Sequence, residues 1–173
     1  MDMQIKNTPV SSFIAVSVIV IFSLYTTSVI KSMPCGKNMI DSFLSNFVHI
    51  DSIHLFSNLY VLYALSRVEL SLGPKKFFSL VIFLLCVNTV FETTLHKMTD
   101  KIPCSIGFSG VLFGILTWEI VTNRGIDMYI ASSIMLMTIL PSLQFKNVSL
   151  SGHLVGSVSG ILSALLFNQI SKL

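Results

Sequence analysis

Ser109 stands in the run Gly107-Phe108-Ser109-Gly110, and His153 in Gly152-His153-Leu154-Val155-Gly156. A serine hydroxyl becomes a useful nucleophile when an imidazole within hydrogen-bond reach takes its proton, and such a pair performs acyl transfer. His54 and Asn58 lie four residues apart, so on a helix they project from one face. An imidazole and a primary amide on one face are donors of the kind that stabilise an oxyanion. Each feature alone has a plain structural explanation. Glycine and serine recur where helices pack closely, a His-Asn pair can be an interhelical hydrogen bond, and a single histidine is often a satisfied polar contact. Whether they work together depends on the elements that carry them.

Those elements are membrane helices. The chain has 173 residues, 53% hydrophobic and only 11% charged, with a mean hydropathy of +0.80. Soluble domains carry about 25% charged residues, so this chain cannot cover a water-facing surface. A span needs about 20 mainly apolar residues. Six stretches qualify, at approximately 10–30, 53–72, 77–95, 104–122, 126–143 and 150–170, in one membrane domain over 1–173. The first has no A-x-A-like cleavage site after it and reads as a retained span. The connector Lys31 to Asp51 is too polar to span and too apolar to float freely, which suits the interface. The net charge of +3 is spread thinly, with no basic run that would suit nucleic acid. Basic residues divide six against five between the two sides, so charge alone does not orient the chain.

Span counting brings the polar residues together. Spans two, four and six run the same way, and each carries its polar cluster near its start, so His54 with Asn58, Ser109 and His153 fall on one side at similar depth. A helix from Ser109 to Asn123 is about 21 Å long. In a hydrocarbon core of about 30 Å, Ser109 then sits roughly 9 Å below the boundary. Gly110 and Gly114 on span four, and Gly152, Gly156 and Gly160 on span six, recur at the four-residue interval that lets membrane helices approach closely. His153 lies near the Gly156 face, so the close-packed interface and the candidate pair coincide.

As a set these residues resemble the rhomboid proteases. Phe47-Val48-His49 with His54-Leu55-Phe56-Ser57-Asn58 looks like the family's H-x4-HxxxN segment, and Glu69 and Gly73 fit its acidic residue and glycine at the inner end of the second span. Gly107-Phe108-Ser109-Gly110 matches GxSG, and His153 to Gly156 with Gly160 matches HxxGxxxG. The resemblance covers about Phe43 to Phe167. It implies an all-α membrane protein, a six-helix bundle with an interfacial first connector, a cytoplasmic N-terminus and a site opening toward the outer or lumenal face, most simply in the cell membrane. It implies a serine endopeptidase that cuts transmembrane segments with a dyad of Ser109 and His153. The Ser109 backbone N–H, His54 and Asn58 would hold the oxyanion, with Gly107, Gly110, Phe113 and Gly156 in support. No cofactor, metal or nucleic acid is expected; the partners are the lipid bilayer and transmembrane substrates.

Phe113 occupies the place of a residue beside the catalytic histidine; a ring contact and an ordinary core contact are both open. Glu92 and Glu119 are read as lying away from the outer end, which leaves no carboxylate to orient His153. Many relatives carry a Trp-Arg pair where this chain has Ile40 and Asp41, which puts the connector in question more than the catalysis. Met128, Met135 and Met137 on span five suit either a lateral gate against span two or plain filler. Cys35, Cys86 and Cys104 read as free thiols, although a bridge between Cys35 and Cys104 fits the topology. Asn147-Val148-Ser149 fits a glycosylation sequon but abuts span six. A catalytically silent relative would lack one of the pair, a transporter would want ionisable residues through the full depth, and a metal site of His49, His54 and His153 lacks a carboxylate ligand.

Overall fold

The computed structural model describes residues 7–31, 38–98, 105–124 and 149–170, with isolated positions 129, 132 and 136, and side chains of the last helix as far as Leu166. These residues form six helices: α1 (Pro9–Thr26), α2 (Met39–Ser45), α3 (Ser52–Leu72), α4 (Pro74–Met98), α5 (Ser109–Arg124) and α6 (Leu150–Ile170). Five of them occupy places where spans are expected, while α2 falls in the first connector. The expected span 126–143, with its methionines, lies outside the described residues, as do Cys35, Cys104 and Asn147. Among the described residues two helices, α1 and α4, are long and apolar enough to cross a bilayer, and α6 has a shorter apolar stretch at Leu150–Leu166.

Local chemistry sets the helix ends. Pro9 opens α1, where its missing N–H is no loss. The next two amides find an unusual partner. The fully buried Glu69 of α3 accepts the Val10 N–H at 2.8 Å on one oxygen, and the Ser11 N–H at 2.8 Å and hydroxyl at 2.7 Å on the other. Asp51 caps α3 by accepting the His54 N–H at 2.7 Å. Gly73 ends α3 at φ +78°, a conformation that strains any residue with a Cβ, and Pro74 starts α4 directly after it.

The Ile40-Asp41 departure has a local explanation. Asn38 caps α2 by accepting the Asp41 N–H at 2.9 Å, and its amide donates back to the Asp41 carboxylate at 2.8 Å. Asp41 thus completes a reciprocal cap of the kind that stabilises short helices. Ile40 is 71% exposed on the outer face with Met39, Phe43 and Leu44, whereas Ser42 and Ser45 are buried. The helix is apolar outside and polar inside, the pattern expected where lipid, not water, covers a surface. Ser42 receives a 2.8 Å hydrogen bond from Thr93, which ties α2 to α4.

Helix α5 packs against α3, α4 and α6. Its Val111 and Ile115 are fully buried with Phe77 and Leu84 of α4 and Ala164 of α6. The contact with α6 is the most extensive between helices among the described residues. A Cβ on Gly156 would fall on the carbonyl of Gly110, and one on Gly160 would fall on Thr117 and the carbonyl of Gly114. Thr117, fully buried, adds a 3.0 Å hydrogen bond to the Ser157 carbonyl across the same seam. The glycine spacings expected to bring these two helices together do meet each other.

Candidate active site

The approach to Ser109 is a short stretch, Ser105 to Phe108, held from three helices. The Ser105 N–H donates to Glu92 of α4 at 2.8 Å, and its hydroxyl donates to Ser149 before α6 at 2.7 Å. The Gly107 N–H donates to the Ser45 carbonyl at the end of α2 at 2.9 Å. Phe108, buried, lies beside Phe47 with ring centroids 5.8 Å apart. Gly107 has φ +105°, and a Cβ there would stand 2.6 Å from the His54 ring. Backbone conformation and close approach both require glycine at this place.

Helix α5 then begins at Ser109 itself. The Ser109 hydroxyl lies 3.0 Å from Nε2 of His153, and His153 is 5% exposed. The Phe113 ring, one turn further along α5, packs on the His153 imidazole with centroids 4.4 Å apart. Of the two readings of Phe113, the ring contact is the one present. A shielded imidazole within hydrogen-bond distance of a serine hydroxyl is the arrangement that a general base and its nucleophile require.

His54 reaches the same place; Asn58 is turned differently. A recess of about 30 Å³ beside Ser109 is lined by His54, Gly107, Asn88, Glu92 and Ser105 among others, but not by Asn58. The Asn58 amide donates to the His54 carbonyl of its own helix at 2.8 Å, and its carbonyl oxygen finds no partner among the described residues. His49, 1% exposed, lies beside His54 with ring centroids 5.0 Å apart and the rings tilted by 60°. Burial pushes the His49 imidazole down to about 4; the neighbouring His54 adds to this, while the Phe47 backbone and Asp51 pull the other way.

Comparison with known proteins gives the family. The family model of the Rhomboid domain matches residues 36–170. The chain belongs to the rhomboid family. A protein of Acanthamoeba polyphaga mimivirus, whose name describes it as a putative rhomboid protein, is 27% identical over 136 residues, covering 76% of this chain and 77% of that protein. Membership makes this an integral membrane protein. It accounts for the buried polar residues and for the exposed apolar ones such as Phe13, Ile53, Phe56 and Tyr60. Helix α1 precedes the matched region and is joined to it through Glu69.

One expectation about this rhomboid is corrected. Glu92 is not remote from the end of the bundle that carries Ser109: it lies in the last two turns of α4, lines the recess with Ser109 and holds Ser105. An odd-numbered span runs the opposite way, so its end, not its start, shares a side with Ser109. The same rule would have found Asn88, one turn before Glu92 and also in the recess. Glu119 is remote, as expected, and pairs with Arg67 of α3 at 3.1 Å. Ser105 and Ser149 gave no signal in the sequence, since hydroxyls in short connectors are ordinary.

Proposed function

We propose that this rhomboid is an intramembrane serine endopeptidase that cuts transmembrane segments of other membrane proteins. The observation that carries the reading is the 3.0 Å separation of Ser109 Oγ and His153 Nε2. Ser109 attacks the scissile carbonyl while His153 takes its proton, and His153 then gives that proton to the leaving amine. Water hydrolyses the acyl-enzyme by the same path in reverse. The oxyanion is received by the Ser109 N–H, His54 and Asn58. Asn58 uses one amide hydrogen within its helix, and an amide has a second to offer. Because α5 starts at Ser109, the positive end of its dipole also favours the developing charge. Every group in this scheme is a side chain or backbone amide, and no metal or cofactor takes part.

The topology follows the six-span reading, with residues 126–143 as the fifth span, the N-terminus in the cytoplasm and the site opening outward. The outward apolar face of α2 supports placing that helix in the interface. A substrate helix must unwind locally to present its peptide bond, so a small residue at the cut and helix-weakening residues after it are expected. The test is purified protein in liposomes with a labelled transmembrane substrate, beside Ser109→Ala and His153→Ala. Cleavage that persists undiminished in Ser109→Ala sinks the mechanism. Labelling by a fluorophosphonate should require both residues.

A further inference from the structure

Ser105 stands four residues before Ser109, and Ser149 four residues before His153. The two hydrogen-bonded pairs therefore share one sequence separation, 44 residues. The Ser105–Ser149 bond joins the same two segments that carry Ser109 and His153, just upstream of both. Its hydroxyls have little freedom. A serine hydroxyl offers one donor and two acceptor positions. Ser149 accepts from the Ser105 hydroxyl at 2.7 Å and from the Gly152 N–H at 3.2 Å, which commits its own proton to Ser151 at 2.8 Å. Its carbonyl meanwhile accepts the His153 N–H at 3.3 Å. Ser105 is pinned from the other side by Glu92. The contact needs a bare backbone beneath it, since a Cβ on Gly152 would come within 2.7 Å of the Ser105 hydroxyl.

We propose that Ser105 and Ser149 are positioning residues that set the separation of Ser109 and His153. This rests on the protease reading and extends it. The glycine seam fixes how closely α5 and α6 approach, running from Gly110 against the Gly152 carbonyl, level with Ser109 and His153, down to Gly160 against Gly114. Above that pair, the serine bond is the direct side-chain link between the two segments among the described residues. Without it, the start of α6 can shift relative to the connector while the seam stays closed, and the proton transfer lengthens. A misplacement of about 1 Å at such a pair can cost on the order of 100-fold in rate.

The test is a double-mutant cycle on the full chain in liposomes: wild type, Ser105→Ala, Ser149→Ala and both together. Four quantities are read for each: kcat, KM, fluorophosphonate labelling rate and melting temperature. Each single change should lower kcat and labelling by about ten-fold with KM held within a factor of two. The double variant should be no slower than the slower single one, because one bond is lost in all three. Ser149→Thr keeps the hydroxyl and should recover most of the rate. A purely structural role would move melting temperature and leave the kcat–KM split unchanged. Losses that multiply in the double variant, or full kcat in Ser105→Ala, overturn the proposal alone. A wild type that neither cuts nor labels overturns the protease reading and this inference with it.

Discussion

Gly156 lies so close to the carbonyl of Gly110 that no side chain fits between α5 and α6 at that level. The contact is three residues beyond His153 on one helix and one beyond Ser109 on the other, so it bears on stability and on the separation of those two side chains together. Gly156→Ala should cost about 1–3 kcal/mol as the helices are forced apart, and kcat should fall in the fraction that stays folded. Gly73→Ala provides the contrast. Nothing lies within 4 Å of its would-be Cβ, and only the backbone at φ +78° is strained. It should lower the melting temperature by a similar stability loss of about 1–3 kcal/mol while the folded fraction keeps its kcat. Equal kcat in the two folded variants would count against the seam as a determinant of geometry.

Gly107→Ala should lower stability through its backbone at φ +105° by about 1–3 kcal/mol, and should also lower kcat in the fraction that stays folded. The new methyl group meets the His54 ring at 2.6 Å and pushes it from the oxyanion position, a change worth roughly 10²-fold in kcat if one donor is lost. The double variant Gly107→Ala with His54→Ala should then be no slower than His54→Ala alone. Multiplying losses would mean that the glycine acts elsewhere.

The proximity of Ser109 and His153 was legible in the sequence because its constraints are discrete. Span parity assigns a side, glycine spacing assigns a face, and neither depends on loop conformation. The expected residues Ser109, His153, His54 and Phe113 accordingly lie together, while Asn58 adopts a rotamer that spacing alone does not specify. The missed groups differ in kind. Glu92 reaches the recess because α4 runs opposite to α5, so the end of one helix meets the start of the other. Ser105 and Ser149 act through a connector whose path is set by Gly107, Glu92 and the end of α2 jointly. Such a path has no periodicity to read. The role of Asp41 was equally hidden, because a cap looks like any other polar residue until the helix start is known.

Acid should destabilise the protein through His49. Its imidazole titrates at about 4 in the fold, below the ordinary histidine value of 6.5. A depressed value means the folded state favours the neutral ring, so this contribution is complete above about pH 6.5. It declines as pH falls toward 4, where the unfolded chain binds the extra proton, and amounts to roughly 3 kcal/mol at most. His49→Gln removes the titration. The fall in melting temperature between pH 7 and pH 4 should be smaller in that variant, and parallel curves would refute the assignment.

Glu69→Ala should leave the Val10 and Ser11 amides and the Ser11 hydroxyl without their buried acceptor. Unsatisfied buried groups cost about 1–3 kcal/mol each, so the loss should exceed roughly 3 kcal/mol. Glu69→Gln, which keeps one acceptor oxygen, should be milder. Protection of the Val10 and Ser11 amides from hydrogen exchange reports the effect directly, and unchanged protection in Glu69→Ala would contradict it.

The Glu69 contact also imposes an order on biosynthesis. Translation delivers Val10 nearly sixty residues before the carboxylate that will receive its amide. Until α3 arrives, the start of α1 must borrow its hydrogen bonds from water, lipid headgroups or the insertion machinery. The first helix is thus held provisionally, and its final seat is decided by a residue made later. A nascent chain arrested before Glu69 emerges has every part of α1 but not the partner that closes its first turn.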